Sequence, residues 1–144
     1  MTVQLDPQDL DLDHGDHVCG FYYGPEERDA MLLPFLREGL RNGDKCVAVV
    51  DSTRPDELML RIEGTQAAVA AGQLELHDAD EPYLRTGSFD PDLTIDFWES
   101  RAKQLVDEHE FDFIRLLGEL SWLDRTDTPR AAIVRYESWA DQFV

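Results

Sequence analysis

The stretch Lys45–Asp51, with the sequence KCVAVVD, decides the fold of this chain. Its nearly continuous apolar run is typical of a strand that is buried on both faces of a parallel sheet. Strand-like runs recur on either side of it, at His17–Tyr23, Gln73–His77 and Phe111–Leu117. Stretches with helical spacing separate these runs and follow the last one. The alternation predicts an α/β fold in three layers, a mostly parallel sheet with helices on both faces.

Start and stop signals place the helices between the strands. The first helix begins at Gly24-Pro25, because proline suits the first helical position, and ends at Asn42-Gly43, because glycine commonly terminates helices. Pro34 lies inside this helix and predicts a kink or a break. The other predicted helical segments are Thr53 to about Ile62, Gln66–Ala71, Asp90 to about His109, and Thr128-Pro129 onward.

The composition limits the class of protein. The 144 residues suffice for one domain with a hydrophobic core. The formal net charge of −18 argues against direct binding of nucleic acid or of an anionic membrane, although solubility alone is a simpler explanation of the acidity. No apolar run approaches the roughly 20 residues of a membrane span, and residues 1–16 are too acidic for a signal peptide. Cys19 and Cys46 lie in apolar runs, which indicates reduced, buried thiols in a cytoplasmic protein.

The motifs that bind nucleotide phosphates are missing. A phosphate-binding loop of the Walker A type would follow the first predicted strand, where this chain has Tyr23–Glu27, with the sequence YGPEE. This segment has no lysine and places two carboxylates where phosphates would lie. The glycine pattern of dinucleotide-binding domains is absent as well. We therefore expect no ATP hydrolysis and no nucleotide cofactor.

A polar cluster follows the last predicted strand, in the segment Leu117–Trp122. Ligands of open parallel sheets bind beyond the carboxyl ends of the strands, so this cluster is the best candidate for a binding site. Glu119 could be a general base, a hydrogen-bond acceptor or a structural acid. Ser121 could donate a hydrogen bond or act as a nucleophile. The Gly-x-Ser-x-Gly motif that surrounds many serine nucleophiles is absent here, which disfavours the second role. Trp122 could line a pocket or belong to the core. We assign no catalytic residue.

Other side chains are predicted at the same edge of the sheet. Tyr22 and Tyr23 end the first predicted strand and Asp51 ends the second, while Tyr83 lies in the loop after the third and could cover the site. Asp51 could equally be an ordinary turn acid, and Tyr83 could serve packing alone. His77, which ends the third predicted strand, is more typical of a boundary position than of a catalyst.

The segment His14–Cys19 contains two imidazoles, a carboxylate and a thiol, which are groups that can bind zinc or another transition metal. The spacing of His14, His17 and Cys19 matches no standard zinc module. The alternative is a histidine at the start of a strand and a cysteine in the core. We expect no bound metal ion; if one were bound, His14, His17 and Cys19 would be the candidate ligands. His17 and Glu119 should lie roughly 15 Å or more apart if the segment is a strand.

Four sequence blocks occur together in one order that resembles the MEDS family, a sensory domain named for methanogens, methylotrophs and the dichloromethane-responsive repressor. The blocks are Asp16–Tyr22, Pro34–Val47, Tyr83–Arg85 with Phe89–Pro91, and Gly118–Trp122. The resemblance covers nearly everything from Asp16 onward. We therefore expect one sensory domain at residues 16–144, preceded by residues 1–15, whose many aspartates and weak apolar pattern predict a flexible acidic leader.

The resemblance implies a RecA/KaiC-like core that has lost its phosphate loop and senses small organic molecules, notably hydrocarbon derivatives. It implies output through histidine-kinase-like modules, anti-sigma regulators or transcription regulators, as partners or fused domains. It places Glu119 near the Walker B acid of ATPase relatives, and His17 and Cys19 among the ligand-binding residues. The family pattern continues with one more strand after the last helix, so we expect the sheet of this chain to lack its last strand.

The main hypothesis is a non-enzymatic sensory domain that binds a small, largely apolar ligand and signals to an output domain or partner. One alternative is a protein-interaction module without ligand, whose acidic surface meets a basic partner. Another is a metal-dependent hydrolase that uses His14, His17, Cys19 or Glu119. The ligand, the output partner and the oligomeric state, including a homodimer, stay open.

Overall fold

The computed structural model describes residues 12–108 and 110–144. Most of the expected leader, residues 1–15, lies outside the described residues. The helices and strands are α1 (Gly24–Asn42), β1 (Lys45–Val50), α2 (Pro55–Met59), α3 (Thr65–Ala70), β2 (Leu74–Asp78), α4 (Pro91–Glu108), β3 (Ile114–Gly118), a 3₁₀ helix (Ser121–Arg125) and α5 (Arg130–Phe143). Among the described residues, no helix combines the length and the apolar character needed to cross a bilayer.

The strands form a parallel sheet in the order β2-β1-β3. Strand β1 is central and pairs Val47 with Glu75 on one side and with Leu116 on the other. All six residues of β1 are buried, as the sequence KCVAVV predicts for a strand covered on both faces. The predicted α/β fold with a parallel sheet is therefore confirmed.

Alternate side chains of β1 divide the core into two clusters. Cys46, Ala48 and Val50 pack against helices α1, α2 and α3 on one face of the sheet. Val47 and Val49 pack on the other face, against α4, α5 and a group of aromatic side chains that comprises Tyr83, Phe89, Trp98, Trp122 and Tyr136. Because side chains of a strand point alternately to opposite faces, this division produces the predicted three layers.

The predicted first strand is wrong. Residues His17–Tyr23 form no strand in the structure, so the sheet of the described residues has three strands where four were predicted. The alternation of apolar side chains is a local signal, whereas a strand also needs a free sheet edge to pair with. The segment instead crosses the surface with Phe21 and Tyr23 each 91% exposed.

Helix α1 ends as predicted but is not broken by its proline. It continues from Gly24 through Pro34 to Asn42. Gly43 terminates it in the left-handed region, with φ of 82°, and donates its backbone N–H to Leu40. Leu32, Leu33 and Leu36 bury the helix against the sheet, and this packing outweighs the one hydrogen bond that Pro34 cannot donate.

Candidate functional site

The chain leaves β1 and β3 toward opposite faces of the sheet, so the carboxyl ends of these two strands form a topological switch point. After β1 it enters α2 and α3 on one face, and after β3 it enters the 3₁₀ helix and α5 on the other. Open α/β sheets bind ligands at such a position. We call the polar residues here, Asp51, Ser52, Glu119 and Ser121, the carboxyl-edge crevice.

Glu119 lies at the centre of the carboxyl-edge crevice and is only 4% exposed. Its backbone N–H donates to the carbonyl oxygen of Val49 at 2.9 Å, which fixes the residue to the end of β1. The carboxylate oxygen Oε2 accepts the backbone N–H of Asp51 at 2.8 Å. The other oxygen, Oε1, is within hydrogen-bonding distance of three hydroxyl groups, those of Ser52, Ser121 at 3.0 Å and Tyr22 at 3.3 Å.

Arg28 of helix α1 supplies positive charge to this buried carboxylate. Its guanidinium is 2% exposed, and Nη1 lies 3.5 Å from Glu119 Oε2. Nη2 donates to the hydroxyl of Thr53 and lies 2.6 Å from Asp29 Oδ1. A buried carboxylate without a nearby cation would strongly destabilise the fold, so Arg28 offsets the cost of burying the charge of Glu119.

Asp51 provides a second carboxylate, which Arg125 of the 3₁₀ helix holds at both oxygens. Arg125 Nη1 donates to Asp51 Oδ2 at 2.6 Å and Nη2 donates to Oδ1. The Ser121 hydroxyl lies 2.7 Å from Asp51 Oδ2 and 3.0 Å from Glu119 Oε1, so its single proton can be donated to either carboxylate. Burial of Asp51 opposes its ionisation, but the hydrogen bonds from Arg125 and Ser121 outweigh burial and hold its pKa below 3.8.

Tyr22 covers the crevice from the segment that precedes α1. Burial and the negative charge of Glu119 raise the pKa of Tyr22 to about 12, so its hydroxyl keeps its proton and can donate it to Glu119. Its neighbours Phe21 and Tyr23 point into solvent. Tyr22 is therefore the one side chain of residues 21–23 that covers the carboxyl-edge crevice.

Two predicted site residues lie in the core and not in the crevice. Tyr83 and Trp122 are 1% and 0% exposed, and their ring centroids are 5.4 Å apart. The hydroxyl of Tyr83 lies 3.2 Å from that of Tyr136. Trp122 Nε1 is buried without a hydrogen-bond partner among the described residues. Both side chains thus have the packing role that the sequence left open for them.

The remaining predicted residues lie apart from the crevice. Tyr23 is exposed, and the ring of His14 packs on Phe113 at 4.3 Å between centroids. His17 and Cys19 contact helix α5, where the Cys19 thiol lies 3.3 Å from Glu137 Oε2. Cys19 is exposed and not buried as predicted; partial desolvation beside α5, followed by the charge of Glu137, raises the pKa of its thiol to about 11.

Sequence reasoning found Tyr22, Asp51, Glu119 and Ser121, which the structure brings together, and it missed the two arginines. Arg28 had a signal, since it precedes Leu32 and Leu36 at steps of four residues and so lies on the buried face of α1. Arg125 had none, because nothing near it in the sequence points to Asp51.

A shallow surface pocket of about 230 Å³ lies at the start of α4. None of the predicted site residues lines it; its walls are Glu81, Pro82, Arg85, Leu93 and Phe97.

A family model described as "MEDS: MEthanogen/methylotroph, DcmR Sensory domain" matches residues 16–144. The chain is also similar to the protein named transcriptional repressor DcmR of Methylorubrum extorquens, at 23% identity over 138 residues. That alignment covers 89% of this chain and 46% of the repressor, so the chain spans about half the length of this curated relative. No solved structure matches the chain.

Proposed function

The chain belongs to the MEDS family of sensory domains, and we propose that it binds a small organic ligand in the carboxyl-edge crevice and signals to an output domain or partner. The ligand would be a hydrocarbon derivative, largely apolar, with one polar group. The observation that carries this proposal is the buried carboxylate of Glu119, which faces three hydroxyl groups at the switch point of the sheet.

The hydroxyl groups around Glu119 can change partners at low cost. A ligand hydroxyl could take the place of the Tyr22 hydroxyl as a donor to Glu119, so that one hydrogen bond is lost and one is formed. A ligand carbonyl could instead accept from Ser52 or Ser121, whose hydroxyl hydrogens can rotate away from the carboxylates toward it. The ring of Tyr22 would cover the apolar part of the ligand.

Displacement of Tyr22 offers a route to the output. A ligand shifts an equilibrium only by its difference in affinity for two states. The two states here are the one with the Tyr22 hydroxyl on Glu119 and the one with the ligand there. His17 and Cys19 of the same segment contact Glu137 of α5, so movement of Tyr22 would be passed to that helix.

The contacts of Ser121 favour binding over catalysis. Its hydroxyl lies against the carboxylates of Asp51 and Glu119, and no imidazole is its hydrogen-bond partner among residues 12–108 and 110–144. A serine nucleophile needs an adjacent base that is itself oriented by a third group. The domain is therefore proposed as a sensor and not as an enzyme.

The output is proposed to be control of transcription. The curated relative is named a transcriptional repressor and is about twice as long as the part that this chain matches. The charge of −18 disfavours contact of this domain with DNA phosphates. A fused DNA-binding domain or a partner protein would therefore contact the DNA.

Binding can be tested with short-chain alcohols, aldehydes and halogenated alkanes as probes, followed by amide resonances in two-dimensional NMR. We expect at least one class to shift the resonances of Asp51, Ser52 and Glu119 in a saturable way. Glu119→Gln, which keeps the size of the side chain, should abolish these shifts, whereas Glu63→Gln at an exposed position should leave them unchanged. Equal shifts in both variants, or shifts confined to other regions, would overturn the proposal.

One observation favours a second function, a protein-interaction module without a small ligand. Phe21 and Tyr23 are each 91% exposed and Val18 is 52% exposed, so three apolar side chains of one short segment face solvent. A protein partner would bury them. If every probe leaves the spectrum unchanged, this second function takes the place of the first.

A further inference from the structure

We propose that His17, Cys19 and Glu137 form a binding site for one divalent transition metal ion of the zinc type, with Asp141 orienting the histidine. The site lies between the segment before α1 and helix α5, apart from the carboxyl-edge crevice. One ligand atom from each of His17, Cys19 and Glu137 lies within 4.8 Å of the others. Nitrogen, sulfur and carboxylate oxygen are the ligand atoms that zinc takes in proteins.

The distances fit a tetrahedral ion. Metal–ligand bonds of 2.0–2.3 Å place neighbouring ligand atoms of a tetrahedron roughly 3.3–3.7 Å apart. Cys19 Sγ lies 3.3 Å from Glu137 Oε2, and His17 Nε2 lies 3.4 Å from the same oxygen. The carboxylate oxygen therefore already lies at ligand spacing from both of its neighbours, and the nitrogen and the sulfur lie within 4.8 Å of each other.

Asp141 lies one helical turn beyond Glu137 on α5 and faces the other nitrogen of the same imidazole. Asp141 Oδ1 is 3.6 Å from His17 Nδ1, while Nε2 faces Glu137. Histidines that bind metal through one nitrogen commonly donate the other N–H to a carboxylate, which fixes the tautomer and the ring. With Nε2 on the metal, Asp141 would have this positioning role.

The charges around the cluster favour a cation. Glu137 and Asp141 bring two carboxylates, and in the described part of the chain neither forms an ion pair with a lysine or an arginine. Arg28, Lys45 and Arg115, the buried basic residues, are paired elsewhere. A divalent ion would compensate the local negative charge and stabilise the thiolate of Cys19.

The site would also fix a segment that forms neither a helix nor a strand. Residues 17–23 form no strand, and Phe21 and Tyr23 point into solvent. A metal ion would join this segment to α5, so that part of the free energy of metal binding would stabilise the ordered conformation of the segment. Three protein ligands leave a fourth position for water or for a small polar ligand, as in zinc sites that are not purely structural.

Cobalt(II) is the probe that tests this site, because its absorption reports both tetrahedral geometry and thiolate ligation. The tag-free full chain, reduced with a phosphine and freed of metal with a chelator, is titrated with Co²⁺. We expect one equivalent to give thiolate charge-transfer absorption that Zn²⁺ abolishes by displacement. Absence of this absorption in the unmodified chain would overturn the proposal.

Matched variants assign the ligands. Cys19→Ser, at an exposed position, should eliminate the charge-transfer absorption, whereas Cys46→Ala, which removes the other thiol, should retain it. Glu137→Gln should weaken Co²⁺ binding more than tenfold, and Asp141→Asn should weaken it roughly 10-fold while the charge-transfer absorption stays. Charge transfer that persists in Cys19→Ser, or affinity unchanged by Glu137→Gln, would refute the site. Unchanged affinity in Asp141→Asn would refute its positioning role.

Discussion

Replacement of Gly118 by alanine tests why glycine stands at the end of β3. An alanine Cβ at this position would overlap the hydroxyl oxygen of Tyr83 and lie 3.4 Å from its Cζ. Tyr83 has no room to retreat, because it is 1% exposed and packs on Trp122 and Phe89. The backbone of Gly118 is not in the left-handed region, so any cost of alanine comes from this overlap.

The expected magnitude follows from overpacking. Gly118 itself is exposed, but its added methyl group would occupy space held by the buried Tyr83 hydroxyl; such overpacking costs about 1–3 kcal/mol, so Gly118→Ala should lower the free energy of unfolding by that amount. Tyr83→Phe alone loses the hydrogen bond to Tyr136, which contributes about 0.5–1.5 kcal/mol. In the double variant the overlapping oxygen is gone. Its stability should therefore equal that of Tyr83→Phe, which corresponds to a coupling energy of about 1–3 kcal/mol.

Urea unfolding followed by tryptophan fluorescence measures all members of the cycle. Tyr136→Phe is the matched control, because it removes the same hydrogen bond but leaves the Tyr83 hydroxyl in place, and it should not rescue Gly118→Ala. The reasoning fails if Gly118→Ala is as stable as the parent chain. It fails also if the costs of Gly118→Ala and Tyr83→Phe simply add.

Two further predictions concern the pH dependence of stability. Because the pKa of Asp51 is held below 3.8, its pairing with Arg125 stabilises the fold at neutral pH and is lost as the pH falls through the folded pKa. Arg125→Gln should thus cost about 0.5–1 kcal/mol in urea unfolding at pH 7, since Arg125 is half exposed, and the difference should shrink in acid; a constant difference would contradict this. The carboxylate of Glu75, 3.6 Å from Nε2, and that of Glu81, 2.9 Å from Nδ1, raise the pKa of His77 above 6.5 against the effect of burial, so the stabilisation by these contacts is complete below pH 6.5 and is lost as the pH rises through the folded pKa. His77→Gln should therefore destabilise the fold at pH 5.5 and less at pH 8.5 in thermal unfolding, and the opposite order would refute this sign.

The central part of the fold was predictable because its signals are local. The run KCVAVVD marks a doubly buried strand wherever its partners lie, and all of Lys45–Val50 is buried in β1. The strands predicted at Gln73–His77 and Phe111–Leu117 differ from β2 and β3 mainly in their ends. The segment His17–Tyr23 has the same local character but no sheet partner, and sequence alone does not reveal whether a partner is available.

The candidate site was also predictable only in part, because some of its contacts follow from the strands and others do not. Asp51 and Glu119 follow directly on strands, so their common edge could be inferred from the parallel sheet. Arg125 reaches Asp51 across 74 positions, and Glu137 reaches Cys19 across 118. Such pairings arise from the packing of whole helices and leave no trace in the residues nearby. A sequence can therefore indicate where a site lies before it indicates what surrounds the site.

The buried basic residues of this acidic chain are each paired with a carboxylate, and the geometry of the pairing distinguishes the carboxyl-edge crevice from the other ion pairs. Lys45 lies 2.9 Å from Glu75, and Arg115 lies 2.7 Å from Asp44. Guanidinium and ammonium groups hold those carboxylates directly, so a ligand could enter only by breaking a buried ion pair, which is costly. Glu119 has its arginine at 3.5 Å and takes its closer contacts from a backbone N–H and from hydroxyl groups. Hydroxyl donors can be exchanged without separating charges. We therefore expect Glu119, more than Asp44, to exchange a protein hydroxyl donor for a ligand donor.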